Sequence, residues 1–231
     1  MHANPSKSSL APLAYRPQST LDDTVVCTAK TALFPASFSF LLLLLVNCYL
    51  PILLIWTDVI PFAYRFHVLA AVLCTFVLYG LYRGYRPSEL GLTLKGSRHA
   101  LLMNTLFCVV GGLGLYVVYQ GGFLMPRDHS YSLTSFFLYI LFLAPVQEFI
   151  FRGILFAEMK RCRMVDPRLM LLISTVTFSF LHIIYDHPPL LLITGISGLA
   201  WGMLYLRWPS LLGVSMSHAL LGAFSMFLGV L

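Results

Sequence analysis

Long apolar blocks follow one another along this chain, and they constrain its fold more than any other feature. They run from about Phe34 to Trp56, Phe62 to Tyr82, Ala100 to Tyr119, a start between Ser132 and Tyr139 onward past Arg152 to Met159, Leu169 to Tyr185, Leu190 to Leu206, and Leu211 to Leu231. A hydrocarbon layer about 30 Å thick takes roughly 20 helical residues to cross. The blocks lack the alternating pattern of a membrane β-barrel, so helices must satisfy the backbone in lipid. Composition agrees: 58% of the 231 residues are hydrophobic and 10% charged, where a soluble domain carries about a quarter. The expected fold class is all-α, a polytopic membrane bundle of about seven transmembrane helices without internal repeat or second domain. Residues 1–33 are polar, with Pro5, Pro12 and Pro17. They read as a flexible tail ahead of a bundle covering 34–231.

Charge gives the orientation. Arg83, Arg86, Lys95 and Arg98 lie between the second and third blocks, and Lys160, Arg161, Arg163 and Arg168 between the fourth and fifth. The alternate connections hold few basic residues. Basic excess marks the cytoplasmic face, so the N-terminus is expected in the cytoplasm. The formal charge of +6 belongs to these loops and to anionic lipid; nothing points to nucleic acid. Cys48, Cys74, Cys108 and Cys162 lie in or beside apolar blocks without CxxC spacing, and are expected to be buried as small hydrophobes.

Among nine acids only Glu148, and among fifteen Lys and Arg residues only Arg152, sits well inside an apolar block. They are four residues apart and share a helix face. An isolated charge in the bilayer costs several kcal/mol, which pairing reduces. An ion pair that only ties helices together would have the same pattern. His182 and His218, on two further blocks, and Gln147 beside Glu148 shift the balance toward a site. Converging Glu and His side chains can activate water or hold a metal.

The order and spacing resemble the CAAX-protease and bacteriocin-processing (Abi) family of glutamate-type intramembrane proteases. Its first motif, two glutamates, three residues, arginine and glycine, is matched by Gln147-Glu148-Phe149-Ile150-Phe151-Arg152-Gly153. Phe178 to His182 matches its second motif, and His218 to Gly222 its third, His followed after three residues by Asn or Asp. The motifs and connecting segments cover about 135–225. The resemblance implies an endopeptidase that cuts near the end of a membrane-anchored protein or peptide. In it the first glutamate and the His182 position activate water, the second glutamate pairs with arginine, and the third-motif His with its Asn steadies the oxyanion. No cofactor is implied; zinc, held by the two His and a Glu, stays open. The setting it implies is a bacterial inner membrane.

Two positions depart from the family. Gln147 replaces the water-activating glutamate, and a neutral amide is no general base. Gly222 replaces the Asn, for which Ser215, Ser217 or Asn104 are stand-ins. Gln147 admits three accounts: an engineered near-isosteric change, a natural pseudoenzyme, or Glu148 as base with Arg152 holding it ionised. The expectation is an inactive form of a real protease. The alternative is a membrane scaffold or immunity protein that binds peptides without cutting them. Approximate depths place the cavity toward the extracytoplasmic half.

Overall fold

The computed structural model describes residues 38–93, 97–124, 132–164 and 166–230. The expected tail, residues 1–33, and the start of the first block at Phe34 lie outside the described residues. The described residues are helical and contain no strand. We label the helices α1 (Phe38–Trp56), α2 (Arg65–Arg83, entered by a 3-10 turn at Phe62–Tyr64), α3 (Ser97–Gln120), α4 (Leu133–Arg161), α5 (Pro167–Phe180, continued as a 3-10 turn Leu181–Tyr185), α6 (Pro188–Arg207) and α7 (Leu211–Phe227). Six are long and apolar enough to cross a membrane; α7 falls short of that length. The seventh block, expected to reach Leu231, gives a helix that stops at Phe227.

The helix starts follow from local chemistry. Ser132 accepts a hydrogen bond from the Ser135 amide at 3.1 Å, Asp166 from the Arg168 amide at 2.9 Å, and Ser210 from the Gly213 amide at 3.2 Å. Each cap satisfies an amide that the first turn leaves without a partner. Pro167 follows Asp166 at the first helical position, where its missing N–H costs nothing.

The centre of the bundle is α4. Its most apolar window is 61% buried, against 6% for α3 and 33% for α6. The outer helices turn Leu, Val and Phe to the lipid, and α4 turns its side chains to protein. It is not a uniform helix. It widens into a π turn at Tyr139–Leu143, returns to α over Ala144–Glu148, and widens again at Phe149–Ile154. The Ala144 amide accordingly donates to the Tyr139 carbonyl and the Leu155 amide to the Ile150 carbonyl, five residues back. Pro145 lies just after the first wide turn. It has no N–H to give to residue 141 and its ring crowds that carbonyl, and a wide turn relieves both problems. The ordinary helix implied by the apolar pattern is corrected on this point.

A second buried ion pair, which the charge pattern places in loops, closes one end of the bundle. Arg83 donates to Glu158 at 2.9 and 3.2 Å, and Tyr85 donates to the same carboxylate. Arg161 forks onto Glu89 at 2.9 and 3.0 Å and onto the Arg83 carbonyl at 2.7 Å. Burial pushes the Glu89 carboxyl up, but Arg161 and the Arg86 amide outweigh it and hold the group below its ordinary value. Both basic segments therefore lie at the same end. Gly91 belongs to this end too. Its φ is +71°, a side chain there would meet the Tyr205 hydroxyl at 2.6 Å, and its carbonyl accepts from the Leu211 amide at 2.9 Å, seating α7.

The cysteine expectation is corrected. Cys74 is exposed and Cys48, Cys108 and Cys162 are intermediate. In a lipid-facing bundle an apolar block has an outer face, and a small thiol is tolerated there.

Candidate active site

Glu148 and Arg152 lie on α4, side by side and fully buried. Glu148 Oε1 accepts from Arg152 Nη1 at 3.0 Å and lies 2.7 Å from His218 Nδ1. Arg152 Nη2 donates to the Gly198 carbonyl of α6 at 2.9 Å, and its guanidinium lies over the Phe178 ring, 4.5 Å from the centroid. One carboxylate thus joins α4 to α7, and one guanidinium joins α4 to α5 and α6. Such charges survive burial only when paired and hydrogen-bonded.

Phe178 is the floor of this cluster. Its ring meets Phe151, Trp201, His182 and His218 edge-on, at centroid distances of 5.2–5.8 Å. A Cβ on Gly198 would stand 2.8 Å from the Phe178 ring, so glycine lets α6 approach α5 closely, as small residues do in membrane interfaces. His182 Nδ1 lies 3.1 Å from the Phe178 carbonyl. When Nδ1 donates there, Nε2 is left with its lone pair, the tautomer a proton acceptor needs.

His218 stacks on Trp201, with centroids 4.3 Å apart and planes at 23°. Trp201 is fixed in turn: its Nε1 donates to Ser217 Oγ at 2.9 Å, and Ser217 Oγ donates to Asn104 Oδ1 at 2.8 Å. Asn104 Nδ2 donates to the Ala100 carbonyl at 2.8 Å. Ser217 and Asn104, two of the stand-ins for the missing third-motif amide, thus form a chain of hydrogen bonds behind Trp201. They hold the tryptophan that stacks on His218. Trp201 itself was missed in the sequence.

Two cavities adjoin the cluster. One, of about 290 Å³, is lined by Tyr139, Phe178, His182, Trp201, His218 and Gly222 among others. The other, of about 70 Å³, lies on the side of α1 and α2 and is lined by Arg65, Leu143, Gln147, His182 and Tyr185 among others. His182 lines both. Gln147 therefore faces the smaller cavity together with His182, and its Oε1 is buried without a hydrogen-bond partner. Gly222 faces the larger one and leaves room there for the Tyr139 hydroxyl, which a Cβ at 222 would overlap. Among the described residues no three His, Cys, Asp or Glu side chains form a group that could hold a metal.

The structure thus brings Glu148, Arg152, Phe178, His182 and His218 into one cluster, with Gln147 and Gly222 on its two flanks. Glu148 Oε1 is shared by Arg152 and His218, its Oε2 is buried without a hydrogen-bond partner, and the whole side chain is shut off from solvent.

Comparison with known proteins falls on this part of the chain. Residues 129–224 match the family model described as type II CAAX prenyl endopeptidase Rce1-like. That segment contains all three motifs, in agreement with the resemblance drawn from them. No curated protein and no solved structure matches the chain.

Proposed function

Taking as premise the CAAX-type endopeptidase family to which residues 129–224 are matched, we propose that this chain is an intramembrane peptidase-type protein acting on the end of a membrane-anchored protein or peptide, and that Gln147 holds it in an inactive form. The observation that carries this reading is that Gln147 and His182 line the same cavity. In an active site of this design a water lies between a carboxylate at 147 and the His182 imidazole. The base takes a proton from the water as its oxygen attacks the peptide carbonyl carbon. The carbonyl electron pair moves onto oxygen. The C–N bond then breaks and the nitrogen takes up the proton. An uncharged amide at 147 orients that water but does not accept its proton.

Glu148 does not replace it. Its role is to hold His218 and balance Arg152, and freeing it for a substrate would leave a guanidinium unpaired in the protein interior. Apolar walls around a few polar groups suit a lipid-anchored or apolar peptide end. The basic end of the bundle faces the cytoplasm in this reading; thiol labelling of a cysteine introduced at Arg163 from the outer face only would contradict that.

Gln147→Glu is expected to create cleavage of a co-expressed membrane-anchored substrate, and His182→Ala in that background to abolish it. Equal cleavage by the unmodified chain would overturn the role given to Gln147. A Gln147→Glu chain that binds such peptides and cuts none would instead support the non-catalytic scaffold or immunity reading.

A further inference from the structure

Gly222 removes the side chain with which the family's third motif would reach the reacting oxygen, and the place is not empty. A Cβ at 222 would overlap the Tyr139 hydroxyl and the ring carbon that bears it, and would stand 2.5 Å from a ring-edge carbon. Tyr139 thus fills the space that any larger residue at 222 would need. Its ring centroid is 6.2 Å from that of His218, and both residues line the cavity that His182 also faces.

The wide turn explains how Tyr139 gets there. It lies nine residues before Glu148, which in an ordinary helix at about 100° per residue is about 900°, roughly half a turn away. Tyr139 would then point to the opposite wall. The π turn at Tyr139–Leu143 absorbs one residue, which brings the angle back to about 80° and swings the ring toward the Glu148 side.

A donor at this place has a definite use. His218 faces Glu148 through Nδ1. If that nitrogen gives its hydrogen to the carboxylate, the neutral ring offers only a lone pair at Nε2. It cannot then donate to a developing oxyanion without gaining a proton. A phenol donates with no such change.

We propose that the Tyr139 hydroxyl stands in for the missing third-motif amide and donates a hydrogen bond to the carbonyl oxygen of the bond to be cut. This rests on the peptidase reading above. Tyr139 would be a catalytic residue, placed by a backbone irregularity and not by the family motif.

The test has two parts, both on the full chain in detergent. The first concerns placement. Gly222→Ala should lower the unfolding temperature, Tyr139→Leu in the same chain should restore it, and Tyr139→Phe should not, because the ring itself overlaps the new methyl. A Gly222→Ala chain as stable as the parent would overturn the placement. The second concerns function in the Gln147→Glu background, with a farnesylated CAAX-type peptide as probe. Tyr139→Phe should lower kcat about 100-fold with little change in KM, the loss on removal of one oxyanion donor, and Tyr139→Leu with Gly222→Asn should regain part of it. If the Gln147→Glu form cuts and ignores Tyr139→Phe, the assignment of Tyr139 fails alone. If that form does not cut the probe, the peptidase reading fails and this assignment with it.

Discussion

At the scale of single residues, what is legible in this sequence is charge where charge is expensive. Glu148 and Arg152 stand out because their neighbours are apolar, and their pairing in space follows from four-residue spacing. His182 and His218 are visible by the same contrast. Tyr139 and Trp201 are not, because aromatic residues are ordinary in membrane helices and nothing in their type signals a place beside a histidine. Arg83 and Glu158 mislead in the other direction: each reads as a loop charge, and only the folded contact reveals the buried pair. Arg152 satisfies a carboxylate, a carbonyl and an aromatic face at once. Arg152→Met is expected to cost about 3–5 kcal/mol, as when one partner of a buried ion pair is removed. Arg152→Lys keeps the charge but loses the planar fork, and should cost about 1.5–3 kcal/mol, the worth of a hydrogen bond to a charged group. Reversible unfolding in mixed micelles would measure both, and equal losses would refute the role of the fork.

At the scale of elements, the spans and their ends are readable from apolar length and from caps such as Asp166-Pro167. The two wide turns of α4 are not. Their cause is partly local, at Pro145, and partly the packing of a helix covered on all sides, which no periodicity reports. The contact of α5 with α6 sorts its glycines by what each faces. A methyl on Gly198 would press on the Phe178 ring at 2.8 Å, and that ring is held under Arg152; a methyl on Gly202 would press on the end of Leu171 at 2.5 Å. The leucine can rotate away and the ring cannot. Gly198→Ala is therefore expected to lose about 1–3 kcal/mol, the range for overpacking, and Gly202→Ala clearly less. The reverse order in thermal denaturation would show that Phe178 is not fixed.

At the scale of the whole molecule, one end of the bundle is tied by Arg161–Glu89 and Arg83–Glu158, while the reaction cluster lies further along α4. The two are separate devices and should respond separately to pH. Glu89 has a lowered folded value. Its contribution is full above the unfolded value of about 4.3 and is lost as pH falls through the lower folded one. The Glu89 side chain is 33% exposed, so the pair is worth below about 1 kcal/mol. Glu89→Gln should reduce stability slightly at pH 7 and match the parent in strong acid. A gap that persists at low pH would show that the carboxylate charge is not what matters.

The turn at Tyr139–Leu143 amounts to one residue of slack in an otherwise regular rod. Removing one residue there returns the backbone to an ordinary helix in which Tyr139 stands eight residues, about 800°, before Glu148, so everything upstream keeps the direction it already faces. The wide turn is therefore a store: a single residue gained or lost inside it leaves the pocket-facing side chains where they are, whereas one lost from a regular stretch of the same helix turns everything upstream by about 100°. Among related chains, position-by-position comparison would record such a change as a gap in the central helix, although the same side chains still face the pocket.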